Sequence, residues 1–375
     1  MQIFVPKESD EKERRAALVP ASVKRLVDLG CEVVVEAGLG VKADYPDAAY
    51  EEAGASVSSD RGGSLKSADM VMRVDASDAD EIGAMKEGAL HISFLNVFER
   101  GDLLSAFAKG KVNAVSLEMM PRSTLAQKMD ALSSQANLAG YSAVVVAAER
   151  MNKILPMMMT PAGTISPANY FVLGIGVAGL QAIATAKRLG ARVTAFDVRP
   201  EALEQAESLG AKALRIDLGE TGGTAQGYAK ELTPEQLETQ RQEQGKVCAQ
   251  SDVVITTAKL FGRKSPILIK EDVVKGMKAG SIIVDLAAES GGNVEGTVLD
   301  EEVVTDNGVR IIGIGRLEGL VSADASAMYS ANLHNFVDHF WDKEAKELKL
   351  DAEDELLKGC LVVRDGEINE SWKKR

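Results

Sequence analysis

Cysteine and histidine are both scarce in this chain of 375 residues. Each scarcity closes a class of function. The three cysteines, Cys31, Cys248 and Cys360, lie far apart with neither a pairing pattern nor a metal-ligand spacing. They read as reduced thiols of a cytoplasmic protein, and no metal site is expected. Of the three histidines, His91 opens an apolar stretch, and His334 and His339 fall in a late helical segment. Each reads as structural rather than as a proton donor. No apolar run approaches the ~20 residues of a membrane span, so any membrane association is expected to come through a partner. An excess of positive charge is missing too. Against 43 Lys and Arg stand 56 Asp and Glu, a net charge of −13, which disfavours nucleic acid and anionic lipid as partners. The first seven residues read as a strand, not as a signal peptide.

What is present is the pattern of an ordinary globular protein, 45% hydrophobic and 26% charged, long enough for two domains with separate cores. Strand-like runs at residues 2–6, 32–36, 70–74, 90–95 and 112–116 alternate with helical ones at 20–29, 47–53 and 100–109. Such alternation predicts a parallel sheet with helices on both faces. A long helical stretch follows over 126–151. Residues 157–160, bracketed by Pro156 and Pro161, read as an extended hairpin arm. Strand-like runs resume at 212–216, 253–257, 281–285 and 310–314, then a helix at 324–341 and a final strand at 360–364. The expected fold is α/β: two Rossmann-like, doubly wound parallel-sheet domains joined by long helices. The first is discontinuous, from 1–137 and 321–375, and the second spans 138–320. The cleft between them is the expected ligand site.

The most specific motif opens the second domain. An apolar strand leads into Gly174-Ile-Gly176-Val177-Ala178-Gly179, a helical run ends at Gly190, and a second strand, 192–196, ends in Asp197. A G-x-G-x-x-G turn lets backbone approach a pyrophosphate at a helix N-terminus, and an acid after the second strand accepts hydrogen bonds from an adenosine ribose. The pattern predicts a dinucleotide site formed by these residues with Val198. NAD(H) is favoured over NADP(H), with Arg199 nearby as the counter-indication. Ala258, Asp285 and Glu289 follow later strands of the same domain and join the expected cofactor set. The segment 313–319, with Gly313 and Gly315, reads as a turn lining that site or as a separate binding loop.

Other polar groups leave alternatives open. If residue 126 onward is helical, Gln127, Asp130 and Ser134 share a face, with Arg122 ahead of it and Ser133 beside it. Helix capping and a solvated face account for the same residues. Residues 219–246 are polar and glycine-rich at their start, with Tyr228 as their one aromatic side chain. They read either as a lid or as an inert insertion. Asn96, at the end of the 90–95 strand, cannot titrate, so a hydride-carrier site is expected without an obvious proton donor.

These runs are similar to domain I, the NAD(H)-binding component of proton-translocating NAD(P) transhydrogenase, whose relatives are the alanine dehydrogenases. The resemblance covers essentially the whole chain. It begins at Pro6-Lys7-Glu8 and at residues 13–20, and it includes Arg122, Gln127, Asp130 and Ser133, continuing through residues 134–141. It implies that Arg122, Gln127, Asp130 and Ser133 form the loop at the nicotinamide end. It also implies that Tyr228 belongs to a mobile loop closing over NAD(H), and that 157–160 is a dimer hairpin. The alanine dehydrogenases carry a histidine, an aspartate and a substrate-binding lysine where this chain has Asn96, Glu289 and Arg73. The 313–319 turn departs from the family pattern. By this resemblance, NAD(H) binds here and NADP(H) on a partner. Other expected partners are a second copy of the chain and membrane-spanning subunits at the inner face of the cell membrane, where hydride transfer drives proton movement. A stand-alone alanine dehydrogenase-like enzyme and a non-enzymatic NAD-sensing module are the competing readings.

Overall fold

The computed structural model describes residues 1–217, 233–259, 262, 264–351 and 353–373. The chain divides into two compact units, Met1–Gln135 with Gly319–Arg375, and Ala136–Glu318. Each is built on its own sheet.

In the first unit, valine-rich Glu32–Glu36 and Met70–Asp75 are hidden on both faces of the sheet, as parallel strands covered by helices must be. The strands run in spatial order Ser56–Ser58, Glu32–Glu36, Gln2–Val5, Met70–Asp75, Leu90–Phe94 and Asn113–Ser116, all parallel. Leu361–Arg364 then adds antiparallel at the edge and turns back into Glu367–Ile368. The sheet therefore draws strands from both ends of the chain. Its order reverses between Gln2–Val5 and Met70–Asp75. One face packs on Ser322–Phe340 through Tyr329, Leu333, Phe336 and Val337, all fully buried.

The second unit repeats this plan. Its order is Lys212–Ala213, Arg192–Phe196, Asn169–Leu173, Val253–Thr256, Ile282–Asp285 and Arg310–Ile312, parallel throughout, with Glu302–Val304 antiparallel at the edge. Here the order reverses between Asn169–Leu173 and Val253–Thr256. Two Rossmann-like sheets, the first assembled discontinuously, agree with the fold read from the sequence. Among the described residues, no helix is long and apolar enough to cross a membrane. The three cysteines are buried and unpaired.

Several bounds shift by a few residues, among them the 212–216 strand, which is Lys212–Ala213, and two segments need correction. The long helix is Ala131–Arg150, not 126–151. Gln127–Met129 is a separate 3-10 turn, and Asp130 sits between the two with φ −75° and ψ 83°. Its carboxylate accepts the Ser133 N–H at 2.9 Å, which starts the helix there. Gln127 and Asp130 therefore do not share a helical face. The reading of 219–246 as one loop is also corrected. Thr233 forms a capping box with Gln236, and Pro234–Cys248 is a helix. Its buried stripe is Gln240, Gln244 and Cys248, a face too polar for hydrophobic periodicity to reveal. Tyr228 lies outside the described residues.

Candidate dinucleotide site

Asn169–Leu173 is a buried strand, and its last residue passes directly into the glycine turn. Gly174 takes φ +91°, a left-handed conformation that side chains disfavour. A Cβ there would lie 2.6 Å from Thr257 Oγ1, and one on Gly179 would lie 2.0 Å from the Gly174 oxygen. Those two glycines are required by the protein's own packing. Gly176 differs. It is exposed, has φ −88°, and a Cβ on it meets nothing within 4 Å. It caps Val177–Arg188 without a side-chain cap. Val177 and Ala178 open that helix half-buried, so the open surface at Gly176 adjoins the positive end of a twelve-residue helix. This bare cradle fits the phosphates of a dinucleotide.

Asp197 follows the next strand, Arg192–Phe196. Its Oδ2 accepts the Ile175 N–H at 2.8 Å, tying the acid to the turn. Arg199 pairs with it through Nε and Nη2 and also donates to the Ile175 carbonyl at 3.0 Å. Val198, between them, is half-buried against the sheet core.

Asp285 requires a correction. It is fully buried, and its two oxygens accept from Thr256 Oγ1, Thr297 Oγ1 and the N–H groups of Ala287, Asn293 and Val294. A carboxylate so enclosed organises its own loop and is not offered to a ligand. Glu289 is exposed, with Lys259 at 3.7 Å and Arg316 at 3.9 Å. In the 313–319 turn, a Cβ on Gly313 would lie 2.3 Å from the Val298 oxygen, so that glycine serves close packing. The Gly315 N–H is bound by Asp300 Oδ1 at 3.0 Å.

In the first unit, Ser133 Oγ donates to Asp130 Oδ2 at 2.6 Å, so the structure brings these two residues together at the helix start. Arg122 and Gln127 are exposed on the segment leading into it. That segment is pinned from Ser322–Phe340: the Asn332 and Asn335 side-chain amides donate to the Lys128 carbonyl at 3.0 and 2.9 Å. Arg73 is not open to a substrate. It is 2% exposed and paired with Glu8 and Glu81. Burial pushes the Glu8 carboxyl up to about 7, against the pull of Arg73. His91 is fully buried against Phe107, and burial, with Arg73 adding to it, holds its pKa down to about 3. It is neutral and withdrawn from solvent. Asn96 takes φ +51° and donates to Glu99.

Two family profiles match the chain: Alanine dehydrogenase/PNT, N-terminal domain, over residues 4–139, and Alanine dehydrogenase/PNT, C-terminal domain, over residues 143–371. The chain belongs to the alanine dehydrogenase/PNT family. It is 45% identical to the first part of the NAD(P) transhydrogenase subunit alpha of Rhodospirillum rubrum, covering 98% of this chain and 97% of that one. Against the NAD(P) transhydrogenase subunit alpha of Haemophilus influenzae the identity is 40%, over 98% and 71%. A transhydrogenase structure from Sinorhizobium meliloti superposes with a TM-score of 0.88 at 42% identity, covering 98% and 100% of the two chains. An L-alanine dehydrogenase structure superposes with a TM-score of 0.82 at 25% identity, covering 100% and 98%.

Residues outside the motif complete the site of this alanine dehydrogenase/PNT chain. Thr257 Oγ1 donates to the Gly174 carbonyl at 2.9 Å. Gly140, in the long helix, lies so close to the next helix that a Cβ would come within 2.2 Å of the Ala178 oxygen. Both contacts join segments distant in sequence, so no local pattern announces them. Asn332 and Asn335 were likewise hidden among the polar positions of a late helix.

Proposed function

We propose that this chain is the NAD(H)-binding component of a proton-translocating NAD(P) transhydrogenase, passing hydride directly to NADP+ on a partner subunit. The observation that carries the reading is the cradle at Gly176. Its protein side is empty and φ is ordinary, so nothing within the fold demands a glycine there. A phosphate resting on backbone does demand one. The names and identities of the relatives support the same reading.

NADH supplies the hydride. In this reading the 174–179 turn takes the pyrophosphate and Asp197 the ribose. Arg122, Asp130 and Ser133 orient the dihydronicotinamide, and Gln127 lies at the face presented to the partner's nucleotide. The chemistry is then positioning of two ring carbons within ~3–3.5 Å, a task that needs no proton donor. That agrees with a neutral, buried His91 and with the non-titrating Asn96, two residues beyond strand Leu90–Phe94. Proton movement belongs to membrane-spanning partners. A homodimer is supported by the hairpin Met158–Thr160 and Gly163–Ile165, which leaves Met157, Met158, Met159 and Ile165 exposed.

The test is reduction of an NADP+ analogue by NADH, with the chain alone and with the NADP(H)-binding partner added. Transfer is expected only with the partner. Appreciable NADH oxidation by the chain alone with pyruvate and ammonia would instead assign it as an alanine dehydrogenase. NADH binding without transfer in the presence of the partner would reduce it to a sensing module.

A further inference from the structure

Asn293 is fully buried, yet its side chain reaches the edge of the dinucleotide turn through a single residue, Ala258. Oδ1 accepts the Ala258 N–H at 3.0 Å, and Nδ2 donates to the Ala258 carbonyl at 2.9 Å and to the Pro266 carbonyl at 2.8 Å. An amide that binds both polar groups of one residue fixes the peptide planes on either side of it. Asn293 is itself aimed by Asp285, whose Oδ2 accepts its N–H at 2.8 Å. Gly291 and Gly292, at φ +94° and +79°, turn the chain to make that contact. A Cβ on Gly292 would lie 2.9 Å from the same oxygen.

Ala258 follows Val253–Thr256, the strand beside Asn169–Leu173 where the sheet order reverses. Its nitrogen lies 3.3 Å from where a Gly174 Cβ would be, and Thr257 Oγ1 holds the Gly174 carbonyl. The strand end and the turn are therefore tied together by hydrogen bonds and close packing, with Asn293 holding Ala258. A carboxylate at the position of Asn293 would repel a pyrophosphate. Here the charge of Asp285 is set back and enclosed by five donors, and a neutral amide carries its orientation forward.

We propose that Asn293, aimed by Asp285, is a positioning residue for NAD(H). It fixes the peptides on both sides of Ala258 and, with Thr257, sets the geometry of the turn at Gly174. The proposal rests on the reading of that turn as the NAD(H) cradle.

The experiment measures NADH binding by nucleotide fluorescence, and thermal unfolding, on the full chain and its variants. Asn293→Ala removes the clamp. Asn307→Ala is the control: its amide also donates to three backbone carbonyls, those of Val274 and Lys275 at the end of helix Glu271–Lys275 and of Met277 just after it, on the side of the sheet where the chain enters Ile282–Asp285. Both variants should unfold at lower temperature. NADH affinity should fall about tenfold in Asn293→Ala, the scale of one or two buried hydrogen bonds, and stay within about twofold in Asn307→Ala. Thr257→Val should weaken binding and Thr257→Ser restore it, which decides the matter if Asn293→Ala does not fold. Wild-type affinity in Asn293→Ala, or an equal loss in Asn307→Ala, overturns the clamp while leaving the cradle intact. If Asn293→Ala does not fold, wild-type affinity in Thr257→Val does the same. Failure of the unaltered chain to bind NADH removes both.

Discussion

Arg199 grips Asp197 at two points, Nε to Oδ1 at 2.9 Å and Nη2 to Oδ2 at 2.8 Å. The acid expected to receive ribose hydroxyls thus stands beside a cation suited to a 2′-phosphate. The carboxylate cancels the charge of that guanidinium. Asp197→Asn should weaken NADH binding and strengthen NADPH binding, lowering the NADH preference by about tenfold or more. Parallel fluorescence titrations with the two nucleotides measure it. An unchanged preference means that Asp197 does not read the ribose.

Gly176 and Gly179 make a matched pair of tests. Gly179→Ala pushes a methyl to 2.0 Å from the Gly174 oxygen and should destabilise the unit by roughly 1–3 kcal/mol. Gly176→Ala meets open space, so stability should stay within about 0.5 kcal/mol while NADH affinity falls. Normal NADH binding by Gly176→Ala would remove the phosphate cradle from this turn.

Gln127 is exposed on a 3-10 turn held in place by Asn332 and Asn335 through Lys128. Gln127→Asn withdraws the amide by one methylene without disturbing that anchorage. NADH affinity should remain near wild type, while transfer to the partner's nucleotide slows by about tenfold or more. Stopped-flow transfer rates and NADH titrations separate the two effects. If neither changes, Gln127 does not serve transfer.

Glu8 links stability to pH. Its carboxyl is raised to about 7 by burial, opposed by Arg73, with Asp75 and Glu13 adding to the rise. Between the ordinary carboxylate range and pH 7, the folded state keeps a proton that the unfolded chain has released. The contribution is therefore fully present below about pH 4.5 and is lost as pH rises through about 7. Glu8→Gln should flatten that fall by roughly 1–3 kcal/mol. Urea unfolding at a series of pH values checks it, and parallel profiles for variant and wild type would contradict it.

Strand runs, the glycine turn and its terminal acid were legible because each is a local pattern. A buried parallel strand must be apolar throughout, and a turn carrying phosphate needs glycine at set spacings. The helix Pro234–Cys248 escaped because its inner face is Gln240 and Gln244, so the usual apolar signal was missing. The start of the long helix was misplaced by five residues because Asp130 reads equally well inside a helix or capping one. Asp285 stood at the correct edge of the sheet, yet position along a strand does not reveal whether a carboxylate faces a ligand or its own loop.

The linear chain thus carried the fold class and the glycine turn itself, since both depend on neighbours a few residues apart. Folding assigned the rest. Gly176 was separated from Gly179 by what surrounds each. Asp285 was enclosed by its own loop together with Thr256, Arg73 by Glu8 and Glu81, and Asn293 gained its hold on Ala258, 35 residues away. Such roles depend on which distant groups share a buried volume, and only the packed chain determines that.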